Sequence, residues 1–102
     1  MDFKDVLKQA QEMQARLARL QEELGERTVE ASSGGGMVTV TANGRQEILS
    51  VRIEKEVISS QEADLLQDLV RAAVNEALSR SREMISAEMS KVTGGIKLPG
   101  MP

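Results

Sequence analysis

The sequence predicts an α+β domain: a long N-terminal helix, a three-stranded antiparallel sheet and a long C-terminal helix. Three observations carry this. Apolar residues recur at steps of three and four from Phe3 to Leu24, the period of a helix. Between Thr28 and Ile53 they alternate with polar ones, the period of a strand. From Leu66 to Val92 a helical stripe returns, with no Gly or Pro inside it.

The first helix is predicted over Met1 to about Gly25. Phe3, Val6, Ala10, Met13, Leu17, Leu20 and Leu24 form a heptad seam, widened by Leu7 near the start. Phe3, Val6, Met13, Leu17, Leu20 and Leu24 are its dimer or helix-packing residues. Ala, Gln, Glu, Met and Arg, all good helix formers, fill the remaining positions. Gly25 reads as the C′ stop. A helix of ~24 residues is roughly 36 Å long. That exceeds the width of a small domain, so part of it must project or pack on another chain.

The strands are predicted over Thr28–Ser32, Met37–Ala42 and Arg45–Ile53. Ser33-Gly34-Gly35-Gly36 breaks the first from the second. Asn43-Gly44 reads as a two-residue hairpin turn with both residues at positive φ. Val38, Val40 and Ala42 share one face, and Leu49, Val51 and Ile53 alternate on the return strand. A two-residue turn pairs Val38 with Leu49, and a one-residue slip pairs Val40 with Ile48. A bulge reconciles the two, and the pattern leaves the register open.

The last helix is predicted to start at Ser59-Ser60-Gln61-Glu62, a capping box with Ser59 as N-cap and Glu62 at N3. It runs to about Val92. Its stripe thins at Ser79-Arg80-Ser81-Arg82, leaving a bend or a second helix start open there. Asn75 lies within the stripe, either as a seam residue fixing helix register or at the edge facing water. Residues 1–92 thus read as one domain and residues 93–102, with two Pro and three Gly, as a tail.

Composition narrows the function. The chain of 102 residues has no Cys, His, Trp or Tyr and one aromatic residue, Phe3. That excludes disulfides, zinc fingers, thiol or imidazole catalysis and a base-stacking platform. No metal or other cofactor is expected. No apolar run approaches the ~20 residues of a membrane span, and Asp2 and Asp5 are wrong for a secretory n-region. Leu, Ile, Val and Phe make up about a quarter of the chain, enough to fold, although the core is thin for one copy. The expectation is a soluble cytoplasmic protein, not an enzyme, with no membrane and no small-molecule substrate.

No carboxylates pair as a general acid and base: Glu22, Glu23, Glu54 and Glu56 read as solvated, and Asp64 and Asp68 as helix-dipole partners. Gly34-Gly35-Gly36 lacks the Lys and Ser/Thr of a phosphate loop and reads as a turn. The cations remain. Lys4, Lys8, Arg16 and Arg19 span about 120° of the first helix, opposite its seam. Arg71, Arg80, Arg82, Lys91 and Lys97 make the C-terminal part locally basic on a chain of net charge −3. Attraction to phosphates acts within about 8 Å, so this arrangement is compatible with nucleic acid. A solvated face laced by Glu12–Arg16 and Arg19–Glu23 pairs is the plainer reading of the first helix.

A resemblance decides between them. Ser33-Gly34-Gly35-Gly36-Met37-Val38, Val40-Thr41-Ala42-Asn43-Gly44, Leu69-Val70-Arg71-Ala72-Ala73-Val74-Asn75-Glu76-Ala77, then Thr93-Gly94-Gly95 and Leu98-Pro99-Gly100 occur in this order. Together, in a chain of this length, they resemble the YbaB/EbfC family of bacterial nucleoid-associated DNA-binding proteins. The resemblance implies a homodimer whose strands form a central body and whose helices project as tweezer-like arms. It implies binding to double-stranded DNA, a location at the nucleoid and a role in nucleoid organisation and gene regulation. The expected phosphate contacts are Lys4, Lys8, Arg16, Arg19, Arg80, Arg82 and Lys91, assigned by position and charge. The alternative is a coiled-coil protein–protein adaptor or prefoldin-like holdase that does not bind DNA.

Overall fold

The computed structural model describes residues 2–59 and 61–93. The element order is α1 (Phe3–Glu26), β1 (Thr28–Ser33), β2 (Val38–Asn43), β3 (Ile48–Ile53), α2 (Lys55–Ser59) and α3 (Ala63–Thr93). The predicted α+β order therefore holds, with a short helix, α2, added after the sheet. The predicted tail lies outside the described residues, apart from Thr93.

The sheet is antiparallel in the order β1-β2-β3. β1 meets β2 with Ala31 opposite Val40 and Ser33 opposite Val38. The reversal between them is a single tight turn, Gly34–Gly36, whose three residues all have positive φ. Glycine alone takes that conformation three times running without strain. Ser33 Oγ also donates to the carbonyl of Leu69 at 2.6 Å, tying this turn to α3.

The second hairpin differs from both registers weighed from the sequence. Val38 pairs with Ile53, Val40 with Val51, and Ala42 with Ile48. Asn43 is the last residue of β2, and the loop is Gly44-Arg45-Gln46, with the positive φ at Gln46. The Gln46 N–H donates to the Asn43 carbonyl and the Asn43 N–H to the Glu47 carbonyl, the pattern of a three-residue hairpin loop. The register shifts between Thr41 and Ala42. Thr41 faces Ser50 and Ala42 faces Ile48, which leaves Leu49 as the extra residue of a bulge. The bulge that the alternation pattern calls for falls at Leu49, which is exposed.

Gly44 is glycine for a reason other than φ. A Cβ there would run into the backbone carbonyl of Leu24, at the end of α1. Gly25 is likewise not a C′ stop. It lies inside α1, which continues to Glu26 and is closed by the Arg27 N–H bonding the Leu24 carbonyl. The Arg45 side chain lies across it, about where a Cβ would project.

The core is one layer between α3 and the sheet. Ala31, Val38, Val40 and Ala42 pack with Ala73 and Ala77, and all are buried. Ala73, Ala77 and Ser81 repeat every four residues on one face of α3, a small-residue ridge that lets the helix lie close to the strands. Val29, Ile53, Leu66, Leu69, Val70 and Val74 rim this core. Helix α3 packs on β1 and β2. Val51 shares the core face of the sheet but lies beyond α3 and is 45% exposed.

Helix α3 is unbroken across Ser79–Arg82. The stripe thins there because Ser81 is an inward residue, fully buried, whose Oγ donates to the Asn43 carbonyl at 2.7 Å. The expected capping box does not form. Ser59 ends α2, where its Oγ donates to the carbonyls of Lys55 and Glu56. Helix α3 begins later, at Ala63, with the Glu62 carbonyl accepting the Leu66 N–H. Asn75 is exposed and faces water.

Candidate nucleic-acid interface

The site is built where α1 and α3 leave the sheet. Ser81 marks the level of the Asn43 end of β2, so the last turns of α3 run past the sheet. Helix α1 meets the same end, with Leu24 against Gly44. The molecule measures 71 × 27 × 16 Å along its principal axes, so both helices project along one long axis as an arm.

A polar network fixes the loop at the arm's root. The Asn43 side chain accepts the N–H groups of Arg45 and Glu47 and donates to Glu47 Oε1. Gln46 Nε2 donates to Ser81 Oγ at 2.6 Å. This locks the loop to α3 and lays Arg45 over α1, where its Nη1 reaches the Gly25 carbonyl at 3.4 Å. An open cleft of about 400 Å³ lies between the two helices here, lined by Leu24, Gly44, Arg45, Ile85 and Met89 among others.

The root is also held by charge. Arg27 Nη1 lies 3.1 Å from Glu88 Oε1, and Lys91 Nζ lies 3.2 Å from the same oxygen. The hydrogen bond from Lys91, and after it that from Arg27, hold the Glu88 carboxyl below its ordinary range. Ion pairs this exposed add little stability. Their effect here is to orient the end of α1 against α3.

The structure places the expected DNA contacts in two groups. Lys4, Lys8, Arg16 and Arg19 are exposed along α1. Among the described residues, the Glu12–Arg16 and Arg19–Glu23 pairs do not close. Arg82 is also exposed and outside any ion pair among the described residues. Arg80 and Lys91 are engaged within the chain. Arg80 bonds Glu76 and, through Nη1, the Glu30 carbonyl at 2.7 Å, and Lys91 bonds Glu88. Arg27 and Arg45, which charge counting does not single out, sit at the arm's root. Only the position of Gly44 beside α1 reveals Arg45, and that approach is long-range.

The seam divides in the same way. Leu24 is buried and Leu17 and Leu20 are half-buried, whereas Phe3, Val6 and Met13 are exposed. Among the described residues there is no group of three acidic, His or Cys side chains placed to hold a metal ion. No buried side-chain polar atom there lacks a partner, and no helix is long and apolar enough to cross a membrane.

The described residues thus form a sheet body with a projecting helical arm that carries exposed cations. The model of the YbaB/EbfC DNA-binding family matches residues 1–96. The chain is 60% identical over 95 residues to a nucleoid-associated protein of Moorella thermoacetica, covering 93% of this chain and 91% of that one. It is 52% identical over 96 residues to one of Pelotomaculum thermopropionicum, covering 94% and 91%. A crystal structure of an uncharacterized protein from Helicobacter pylori shares the fold with a TM-score of 0.72 at 25% identity, over 90% of this chain and 97% of that one. The chain belongs to the YbaB/EbfC family of nucleoid-associated DNA-binding proteins. That family is not one of enzymes.

Proposed function

We propose that the chain is a homodimer that holds double-stranded DNA at the bacterial nucleoid through phosphate contacts, organising the nucleoid and influencing transcription there. The observation that carries this is the arm: Lys4, Lys8, Arg16, Arg19 and Arg82 are exposed on helices that project from the body, outside ion pairs among the described residues. Long cationic side chains on a projecting helix can follow a phosphate backbone without reading bases. The chain's −3 charge opposes binding at long range, but within ~8 Å at physiological salt the local cations dominate. Arg80 and Lys91 join them by exchanging Glu76 and Glu88 for phosphate, a cheap exchange for exposed pairs. A cytoplasmic location goes with this role and with the relatives' names.

The dimer is supported by β3. Ile48 and Val51 are exposed on an edge strand. An uncovered apolar edge is a surface that another chain pairs with or packs on. A second copy would cover it and present a second arm, giving the tweezer-like shape.

Charge reversal tests the DNA interface. Arg16→Glu with Arg82→Glu should weaken binding to all duplex sequences alike. It should also flatten the salt dependence by about one unit of slope for each phosphate that is no longer neutralised. Unchanged binding would remove these helices from the interface. A protein that binds no DNA yet suppresses aggregation of an unfolded client would instead be the holdase.

A further inference from the structure

The apolar stripe of α1 is covered towards the root of the arm, where Leu17 and Leu20 are half-buried and Leu24 is buried. Its free half is exposed. Phe3 is 77% exposed, Val6 and Leu7 are each 49% and Met13 is 47%. This half of the helix presents a seam of Phe3, Val6, Ala10 and Met13 to solvent, with Leu7 along one edge. Along the other edge, at the same flanking position of successive heptads, stand Asp2, Gln9 and Arg16. Asp2 is the N-cap of α1 but makes no side-chain capping bond. Arg16 is exposed and outside any ion pair among the described residues. One edge of the seam therefore carries an anion at one end and a cation at the other.

We infer that this half-helix pairs antiparallel with the same half-helix of a second copy. Turned end for end, the seam meets itself. Phe3 of one copy stands opposite Met13 of the other, and Val6 stands opposite Ala10. An aromatic ring then meets a thioether, a favourable contact, and the smaller middle layers let the helices approach. A twofold axis makes each edge face its own copy. Asp2 thus meets Arg16 twice, Gln9 meets Gln9 and Leu7 meets Leu7. Parallel pairing in register brings unlike edges together instead and sets Asp2 against Leu7, an anion against an apolar side chain with no countercharge. A longer antiparallel overlap needs Leu17 and Leu20, which are already partly covered at the root. The charge pattern therefore selects both the partner and its direction. At about 100° per residue, Lys4, Lys8 and Arg19 lie ~140–180° from the centre of the seam and face outwards in the pair. Arg16 lies nearer, at ~100°, and can serve the second copy or a phosphate, because an exposed ion pair is cheap to exchange. About eleven residues a side is well below the 20–30 of a stable interface. The contact is weak alone and is strengthened where copies are held side by side on one duplex; that strengthening rests on the DNA reading, whereas the pairing itself does not.

The chain has no Cys, so Gln14→Cys gives a single nitroxide site on an exposed part of α1. Unlabelled chain carrying the nitroxide is mixed, at NMR concentration, with ¹⁵N-labelled chain lacking it, so that only contacts between copies broaden amides. Antiparallel pairing predicts the strongest broadening at residues 3–5, falling towards Met13, with β1 and β2 spared. Strongest broadening around residue 14, the mark of a parallel pair, would overturn the inference, as would none in α1. Arg16→Asp in both chains should cut the broadening at residues 3–5 about threefold, the loss of two exposed ion pairs. Adding Asp2→Arg should restore it. Broadening that Arg16→Asp leaves unchanged, or that the double exchange does not restore, would overturn the charge-directed pairing.

Discussion

At Gly44 the neighbouring helix excludes a side chain, because the Leu24 carbonyl occupies the space a Cβ would need. At Gly35 the space is open and only the backbone, at φ 67°, favours glycine. The two sites therefore separate steric from conformational cost. Gly35→Ala should lose about 1–2 kcal/mol, the cost of a left-handed residue with a Cβ. Gly44→Ala must also move α1 and should lose at least the ~1–3 kcal/mol of an overpacked site. Urea unfolding of both variants checks the order. Ser81 offers a third residue-scale test. Its hydroxyl serves the Asn43 carbonyl and the Gln46 amide while fully buried, so Ser81→Ala should cost about 1–3 kcal/mol for the partners left unpaired. Glu88 predicts a pH response. Its folded-state pKa lies below the ordinary 4.5. The tie it makes to Lys91 and Arg27 is complete above that value and is lost as pH falls through the lowered one. The carboxyl carbon shift of Glu88 should titrate with a midpoint below 4.5. A midpoint at or above it would mean the tie does not form in solution.

At the scale of elements, β3 is the most exposed strand of the sheet. Val51 stands opposite the fully buried Val40, yet is itself 45% exposed. Val51→Glu should leave the helical content unchanged and shift the mass in light scattering from dimer to monomer at micromolar concentration. A dimer that survives this change would place the interface elsewhere. How legible these elements are depends on the range of the forces that shape them. The α1 seam, the alternation of β2 and the stripe of α3 are local periodicities, and each element appears within a few residues of its expected bounds. The hairpin register is not local. It depends on a bulge at Leu49 and on a loop shaped by α1 and Ser81, none of which alternation encodes. Ser59 and Glu62 fit a capping motif, but Ser59 is claimed by α2, whose five residues are too few to show a period. Gly25 and Gly44 read as stop and turn because their true constraint is packing against residues about twenty positions away.

At the scale of the whole molecule, separation of charge matters more than its sum. The chain is acidic overall, but cations outside ion pairs among the described residues gather on a 71 Å-long body whose arm reaches beyond the sheet. The cationic positions on α1 are legible as a stripe opposite the seam. That Arg16 and Arg19 form no ion pair among the described residues is not, because Glu12 and Glu23 stand at the right spacing and only the folded geometry shows that these pairs do not close. The central claim is that these cations hold DNA by its phosphates. Fluorescence anisotropy of a labelled random-sequence duplex, titrated across a series of salt concentrations, tests it most directly. With about six phosphates neutralised, the logarithm of the binding constant should fall against that of salt with a slope of about −5. A slope near zero, or no complex at ~50 mM salt, would contradict it.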